Sequence, residues 1–138
     1  FYFKLVEKTS RVNVMEIKEL KKVLREFGDN VRFEHDLKKK NWFNIGGKSK
    51  VFYKANNLKE LVSFLKKLKH KEKIFVLGAG SNTLINDSQF DGVVIKLGKN
   101  FNNISLLGEN IIIAGSAVLD KSLSDFAMQN NLSRVEFL

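Results

Sequence analysis

Apolar residues recur at helical spacing in three stretches of the chain and form short runs typical of β-strands in five others. The helical stretches are residues 16–27, 58–68 and 119–130. The strand-like runs are residues 50–55, 74–77, 83–85, 93–97 and 110–114. A strand, a helix and a strand thus precede a meander of strands and a last helix, and this order predicts a layered α/β or α+β domain.

The residues that flank these stretches agree with the pattern. Gly28 follows the first helical stretch, and glycine at this place favours the end of a helix. Asn57 and Glu60 predict a capping box at the start of the second helix. One stripe of that helix is expected to face the core, and it consists of Leu58, Leu61, Val62, Leu65 and Leu68.

The domain organisation follows from a change of pattern near residue 40. Residues 29–40 are polar and predict an extended linker rather than a core element. The sequence is therefore divided into an N-terminal extension, residues 1–40, and a domain, residues 41–138. The first methionine is Met15, proline is absent and the last residues are mostly apolar, so a domain truncated at its C-terminus is expected.

The composition is that of a globular protein, with 43% hydrophobic and 28% charged residues among 138. No apolar stretch approaches the ~20 residues that span a bilayer, so no membrane partner is expected. The absence of cysteine excludes disulfides and thiolate metal sites, and the two histidines lie too far apart in sequence to favour a zinc site. A cytoplasmic location is expected.

The net charge of +9 keeps a basic nucleic-acid-binding module without a cofactor open as an alternative. The lysines are scattered, however, and no predicted strand carries aromatic residues interleaved with Arg or Lys for base stacking. Solvated lysine in a biased composition is the simpler interpretation, and attraction of an anionic cofactor or substrate is compatible with it. No nucleic-acid partner is expected.

The most informative segment is the turn of residues 78–82, GAGSN, which follows the strand-like run of residues 74–77. Glycine permits positive φ, so two glycines let successive N–H groups converge and let a ligand approach the main chain. A diphosphate suits such a concavity, because it brings negative charge and many acceptor oxygens. Ser81 and Asn82 add side-chain donors.

Other phosphate-binding loops do not fit this turn. A dinucleotide fingerprint requires glycine at the position of Thr83, and the Gly-Lys-Ser/Thr ending of a Walker A loop is missing. An ordinary tight turn stays open as the alternative, because a single Gly-x-Gly is a weak signal. Residues 41–47 and 114–118 also predict close backbone approach, and a hairpin turn or tight strand–helix packing explains each of them equally well.

In combination and in this order, these segments resemble the beginning of the UDP-N-acetylmuramate dehydrogenase (MurB) family. The resemblance covers residues 41–138 and is carried by Asn41-x-Phe43-x-Ile45-Gly46-Gly47, by residues 77–85, by Asp87-x-x-Phe90-x-Gly92-x-Val94-Ile95 and by Ala114-Gly115. It implies an FAD-binding fold of the vanillyl-alcohol oxidase (PCMH) type, truncated here and preceded by a helix. Trp42, Gln89 and the pair at 116–117 depart from the family's usual residues.

The resemblance also implies a function. Such enzymes are cytoplasmic flavoproteins of peptidoglycan synthesis, and thereby of cell wall biogenesis, cell shape and cell division. NADPH reduces their FAD, and hydride then passes to the UDP-sugar UDP-N-acetylglucosamine enolpyruvate. The residues expected by this resemblance at the diphosphate and ribityl chain are Gly78, Ala79, Gly80, Ser81, Asn82, Thr83 and Leu84, and those on the flavin side are Gly115, Ser116 and Ala117. No catalytic residue of the family maps onto the chain, which is expected to be inactive alone, and no metal is expected.

A second alternative is the FAD domain of another oxidoreductase with the same fold. Among single residues, Asp87 is interpreted as a turn former, and His35 and His70 as surface residues. Trp42 is interpreted as a core or loop anchor.

Overall fold

The computed structural model describes residues 15–68, 72–81 and 83–133. Within these ranges the chain forms a four-stranded sheet, a two-stranded hairpin, three α-helices and three 3-10 turns. The sheet consists of β1 Val31–Asp36, β2 Lys48–Ala55, β3 Ile74–Leu77 and β4 Phe90–Leu97, and the hairpin of β5 Ile104–Leu107 and β6 Ile111–Ala114. The helices are α1 Ile17–Val23, α2 Leu58–Lys67 and α3 Asp120–Gln129, and the 3-10 turns are Arg25–Asn30, Lys38–Lys40 and Lys99–Phe101.

The strands of the sheet lie in the order β1-β2-β4-β3. β2 and β3 both pair in parallel with β4, and β1 pairs antiparallel with β2. Ile95 of β4 lies between Tyr53 of β2 and Val76 of β3. Because the three parallel strands end at the same edge of the sheet, the loops that leave them meet there, and open α/β sheets usually bind their ligands at this edge.

One face of the sheet packs against α2. Tyr53 of β2 and Phe64 of α2 stack with ring centroids 3.8 Å apart, and Phe27 meets both rings edge-on at 5.6 and 5.3 Å. Burial of each large apolar side chain stabilises the fold by roughly 1.5–3 kcal/mol, so this cluster holds α2 on the sheet. Burial, with the nearby Glu60 carboxylate, raises the pKa of Tyr53 to about 12.

The opposite face of the sheet carries a smaller core, formed by Leu37, Phe52, Leu77 and Val94. Side chains alternate along a strand, so the residues two positions further along β2 and β4 share this face. These residues are Lys54 and Lys96, which pair with each other in register. This face is therefore apolar in its middle and cationic at the carboxyl edge.

The helices confirm the predicted positions with one difference. α1 ends at Val23, and the predicted continuation is a 3-10 turn with a kink at Gly28, where φ is 51°. The capping box is confirmed: the Asn57 side chain accepts a hydrogen bond from the Glu60 amide at 2.9 Å and donates one to the Glu60 carboxylate at 2.8 Å.

The predicted buried stripe of α2 is wrong in part. Leu58, Val62 and Leu65 are exposed, whereas Phe64 and Leu68 are buried. The reason is that the apolar residues of α2 spread over a broad arc that includes Phe64, and stacking on Tyr53 selects the Phe64 side.

The strands bring three corrections. Residues 29–40 are not a linker, because β1 lies within them and pairs with β2 from Val31 to Asp36. Residues 83–85 form no strand, and they cover the small core of the second face instead. The strand β5 was not predicted, and it forms because it pairs with β6 through the turn at Gly108.

Among the described residues, no helix has both the length and the apolar character that crossing a membrane requires.

Candidate functional site

The glycine-bearing turn lies at the carboxyl edge of the sheet, directly after β3. Sheet pairing of β3 ends with Leu77 opposite Lys96 of β4. Gly78 and Ala79 are exposed, and a Cβ atom built on Gly78 meets nothing within 4 Å. A ligand can therefore approach the main chain at Gly78 without displacing any described residue.

The exposed amide groups of this turn are available to a ligand. Within the part of the chain that the structure describes, the N–H groups of Gly78, Ala79, Gly80 and Ser81 donate no hydrogen bond to a backbone carbonyl. Exposed, unpaired N–H groups in a glycine-bearing turn are the usual components of an anion-binding concavity. A diphosphate fits this donor set, since it offers acceptor oxygens to several N–H groups at once.

Gly80 has a different role from Gly78, because it packs against a neighbouring segment. It is buried, its φ is 77°, and a Cβ atom there would collide with the Lys40 carbonyl oxygen and approach the Asn41 Cα to 2.8 Å. The Trp42 amide donates a hydrogen bond to the Gly80 carbonyl at 3.1 Å. These contacts fix the shape of the turn and leave its exposed part to a ligand.

The segment of residues 41–47 forms the wall against which the turn packs. The buried Asn41 side chain organises it, donating to the carbonyls of Leu37 at 3.2 Å and Ile45 at 2.7 Å and accepting from the Phe43 amide at 3.1 Å. Gly47 donates to the Asn86 carbonyl at 2.8 Å, and a side chain there would collide with the Asp87 carbonyl. The glycines of this segment therefore serve close backbone packing.

Lys40, Lys54 and Lys96 lie near one another beside the turn, and no motif in the sequence predicts this. Lys96 donates a hydrogen bond from Nζ to the Gly78 carbonyl at 3.4 Å. Burial, with the nearby Lys40 and Lys54, lowers the pKa of Lys96. The Nζ of Lys40 lies 5.4 Å from the centroid of the Phe52 ring, on the same face of the sheet.

The remaining residues expected near the diphosphate are Asn82, Thr83 and Leu84. Asn82 is outside the described residues. Thr83 and Leu84 line a cavity of about 20 Å³ whose other walls are apolar, among them Phe75, Leu77 and Val94. Leu84 is also partly exposed, so it can contact both the core and a ligand beside the turn.

The second expected group, residues 115–117, packs on the 3-10 turn that precedes the hairpin. The Gly115 amide donates to the Asn103 carbonyl at 2.8 Å and the Ala117 amide to the Phe101 carbonyl at 2.8 Å. A Cβ atom on Gly115 would collide with that Phe101 carbonyl. Ser116 is exposed. No hydrogen bond between described residues joins this group to the turn at 78–81.

The structure changes the interpretation of two single residues, Trp42 and His35. Trp42 is 75% exposed, so it is not a core anchor. His35 is not fully on the surface: its ring lies 4.6 Å from that of Phe52, and burial, with Lys40 and Arg32, lowers its pKa against the opposing effect of Asp36. Asp87 is exposed and lies in a bend. His70 lies outside the described residues.

Comparison with known protein families defines the class of protein to which the chain belongs. A family described as FAD binding domain matches residues 49–138. The chain belongs to this family of FAD-binding domains, which confirms the predicted fold class and agrees with FAD as the cofactor.

The particular relatives are UDP-N-acetylenolpyruvoylglucosamine reductases. The chain is 60% identical over 124 residues to that of Pelagibacter ubique (strain HTCC1062), covering 90% of this chain and 41% of the relative. It is 40% identical over 105 residues to that of Rickettsia canadensis (strain McKiel), covering 76% of this chain and 35% of the relative. Its resemblance to the MurB family is thereby confirmed.

A solved structure agrees with these relatives. The MurB of Thermus caldophilus matches with a TM-score of 0.58 and 25% sequence identity, covering 77% of this chain and 35% of that one. The chain spans less than half the length of the relatives and of the structure that it matches.

Proposed function

We propose that the chain binds FAD and that main-chain amides of the turn at residues 78–82 hold the diphosphate of the cofactor. The supporting observation is the combination of unpaired N–H groups at Gly78, Ala79 and Ser81 with open space above Gly78 at the carboxyl edge of the sheet. Gly80 contributes by fixing the turn, and the Asn82 side chain adds a donor. These five residues all lie within residues 41–138, the proposed FAD-binding domain.

The neighbouring residues are proposed to contact the rest of the cofactor. Thr83 and Leu84 lie against the ribityl chain, and Gly115, Ser116 and Ala117 lie towards the flavin. Two of the amides in the second group are already engaged by Phe101 and Asn103, so their contribution is a close-packed surface and not a set of donors. The exposed side chains of Trp42, Phe43 and Ile45 extend the apolar surface beside the turn.

The relatives extend the proposal to the whole protein. We propose that it is a cytoplasmic oxidoreductase of peptidoglycan synthesis, needed for cell wall biogenesis, cell shape and cell division. When bound, FAD supplies a hydride carrier between NADPH and the enolpyruvyl group of a UDP-sugar. The residues of this chain bind and orient the cofactor, and none of them is assigned a catalytic role, so the chain alone is proposed not to turn over substrate. The relatives give no support to a nucleic-acid-binding module or to another oxidoreductase.

Titration of the isotope-labelled chain with FAD, followed by NMR, tests the binding proposal. The amide signals of Gly78, Ala79 and Ser81 are expected to shift together. Gly78→Asp places a carboxylate in the open space and is expected to weaken FAD binding by about a hundredfold, through like-charge repulsion and steric block. Gly78→Asn has the same size without the charge, and its smaller loss separates the two effects.

Gly108→Asp is the matched control, because Gly108 also has open space around it but lies in the hairpin turn. It is expected to bind FAD as the parent chain does. A parent chain that shows no FAD-dependent shifts contradicts the proposed function. Unchanged affinity of Gly78→Asp contradicts the assignment of the turn.

A further inference from the structure

Lys40, Lys54 and Lys96 converge on one face of the sheet beside the turn at residues 78–81, and this group is called the lysine wall. Lys54 and Lys96 are register partners on β2 and β4, two positions beyond Phe52 and Val94 of the second core. Lys40 reaches the same face from the 3-10 turn above it, with Nζ over the Phe52 ring. The Lys40 carbonyl also packs directly on Gly80.

No carboxylate among the described residues forms an ion pair with the lysine wall, in contrast to Lys50 and Lys67. Lys50 lies 3.2 Å from Asp91 and 4.0 Å from Glu72, and Lys67 lies 3.3 Å from Glu26. No ion pair of this kind is formed by the three residues of the wall in the described ranges. Three like charges gathered on a partly buried surface repel one another, so a bound anion there stabilises the arrangement.

Lys96 is the central residue of the wall. Its Nζ reaches the Gly78 carbonyl at 3.4 Å, near the outer limit of a hydrogen bond, on the exposed side of the turn. That position places a flexible cation on the carbonyl side of the same exposed stretch of main chain that carries the unpaired amides of Gly78 and Ala79. Burial and like charges lower the pKa of Lys96. A bound anion has the opposite effect, because it favours the charged ammonium group and raises the pKa.

We propose that the lysine wall pairs with the diphosphate of FAD on the side away from the main-chain amides. The inference rests on the proposed function and adds charge neutralisation to it. Main-chain N–H groups supply geometry but only partial charge, whereas the lysines supply full charge. The wall therefore selects flavins that carry phosphate over riboflavin, and it makes binding sensitive to ionic strength.

A UDP-sugar carries the same diphosphate chemistry, so two sources of the ligand must be separated. The contact of Lys96 with the turn favours FAD, because one diphosphate can meet both the amides and the lysines there. ADP contains the nucleotide diphosphate half of FAD, and UDP-N-acetylglucosamine contains the nucleotide diphosphate of the sugar substrate. Their ability to shift the Gly78 and Ala79 amide signals distinguishes the two.

The test compares Lys96→Gln, Lys54→Gln and Lys96→Arg with the parent chain, using NMR titrations with inorganic pyrophosphate, ADP, UDP-N-acetylglucosamine, FAD and riboflavin at several salt concentrations. Lys96→Gln is expected to weaken FAD and pyrophosphate binding about tenfold or more and to leave riboflavin unchanged. Lys54→Gln is also expected to weaken FAD and pyrophosphate binding. Lys96→Arg keeps the positive charge and is expected to retain binding. Lys59→Gln, on the exposed side of α2, is the control.

Two further readouts separate charge pairing from a merely structural role. Salt dependence of FAD binding is expected to become shallower in Lys96→Gln, and the pKa of Lys96 in the parent chain is expected to rise when pyrophosphate saturates the site. Unchanged FAD affinity in both glutamine variants overturns the inference while leaving the proposed function intact. Preferential response of the amides to UDP-N-acetylglucosamine over ADP overturns the assignment to FAD, and a parent chain that does not bind FAD overturns the proposed function itself.

Discussion

Gly78 and Gly80 stand two residues apart in one turn, yet a side chain at the first would meet open space and at the second a backbone carbonyl. The motif predicts both glycines and their conformational freedom. It does not predict which of them serves packing, because the Lys40 carbonyl that excludes a side chain at Gly80 belongs to a distant part of the sequence. The segments that pack against a glycine motif must therefore be known before its ligand-facing glycine can be told from its packing glycine.

Gly80→Ala is expected to lower the free energy of unfolding by about 2 kcal/mol or more, because it combines a positive φ with a collision against the Lys40 backbone. Gly78→Ala is the control and is expected to stay within about 0.5 kcal/mol of the parent, since its Cβ meets open space. Urea denaturation measures both. Equal stability of the two variants contradicts the packing role of Gly80.

Among the secondary-structure elements, the sequence predicts the bounds of α2 closely and misses β1. The sequence indicates α2 through the Asn57–Glu60 capping box and a strong apolar periodicity. β1 is mostly polar, and its stability comes from pairing with β2, in a register that runs from Val31 opposite Tyr53 to Asp36 opposite Lys48. The local sequence of such a strand is a weak indicator of its structure, because the strand is stabilised by a partner elsewhere in the chain. Pairing with β2 therefore makes a strand of residues whose polar composition is typical of a linker.

Asn57→Ala removes the N-cap of α2 and is expected to lower the free energy of unfolding by about 1 kcal/mol. The loss arises because the Glu60 amide no longer has the acceptor that the Asn57 side chain provides at 2.9 Å. Lys59→Ala, exposed in the same helix turn, is the control and is expected to change little. Chemical denaturation followed by circular dichroism measures the difference. A loss as large in the control would contradict a specific capping role of Asn57.

On the scale of the whole molecule, a buried polar cluster joins segments that are far apart in sequence. The Glu72 carboxylate accepts a hydrogen bond from the Met15 amide at 2.8 Å and lies 4.0 Å from Lys50 Nζ, which also reaches Asp91. The side chains of Lys50 and Glu72 are only 7% and 1% exposed. The cluster thus links the start of the described chain to β2, to the residues before β3 and to β4. The sequence does not predict it, since its members are ordinary charged residues on different elements.

Glu72→Ala is expected to destabilise the whole fold by about 3 kcal/mol, because it leaves a buried ammonium group with one fewer counter-charge and the Met15 amide without an acceptor. Glu72→Gln keeps an acceptor for Met15 and is expected to lose less. Thermal unfolding of the two variants shows which of them loses more stability. A larger loss in Glu72→Gln than in Glu72→Ala would contradict the hydrogen-bonding role of the carboxylate.

Trp42 is the single tryptophan of the chain, it is largely exposed, and its amide is bonded to the glycine turn. Its indole is therefore a built-in optical probe beside the cofactor site, emitting at the long wavelengths of a water-exposed ring. A yellow isoalloxazine ring bound nearby absorbs in that spectral region and would dim this emission by energy transfer, so occupancy can be followed by fluorescence without attaching a dye.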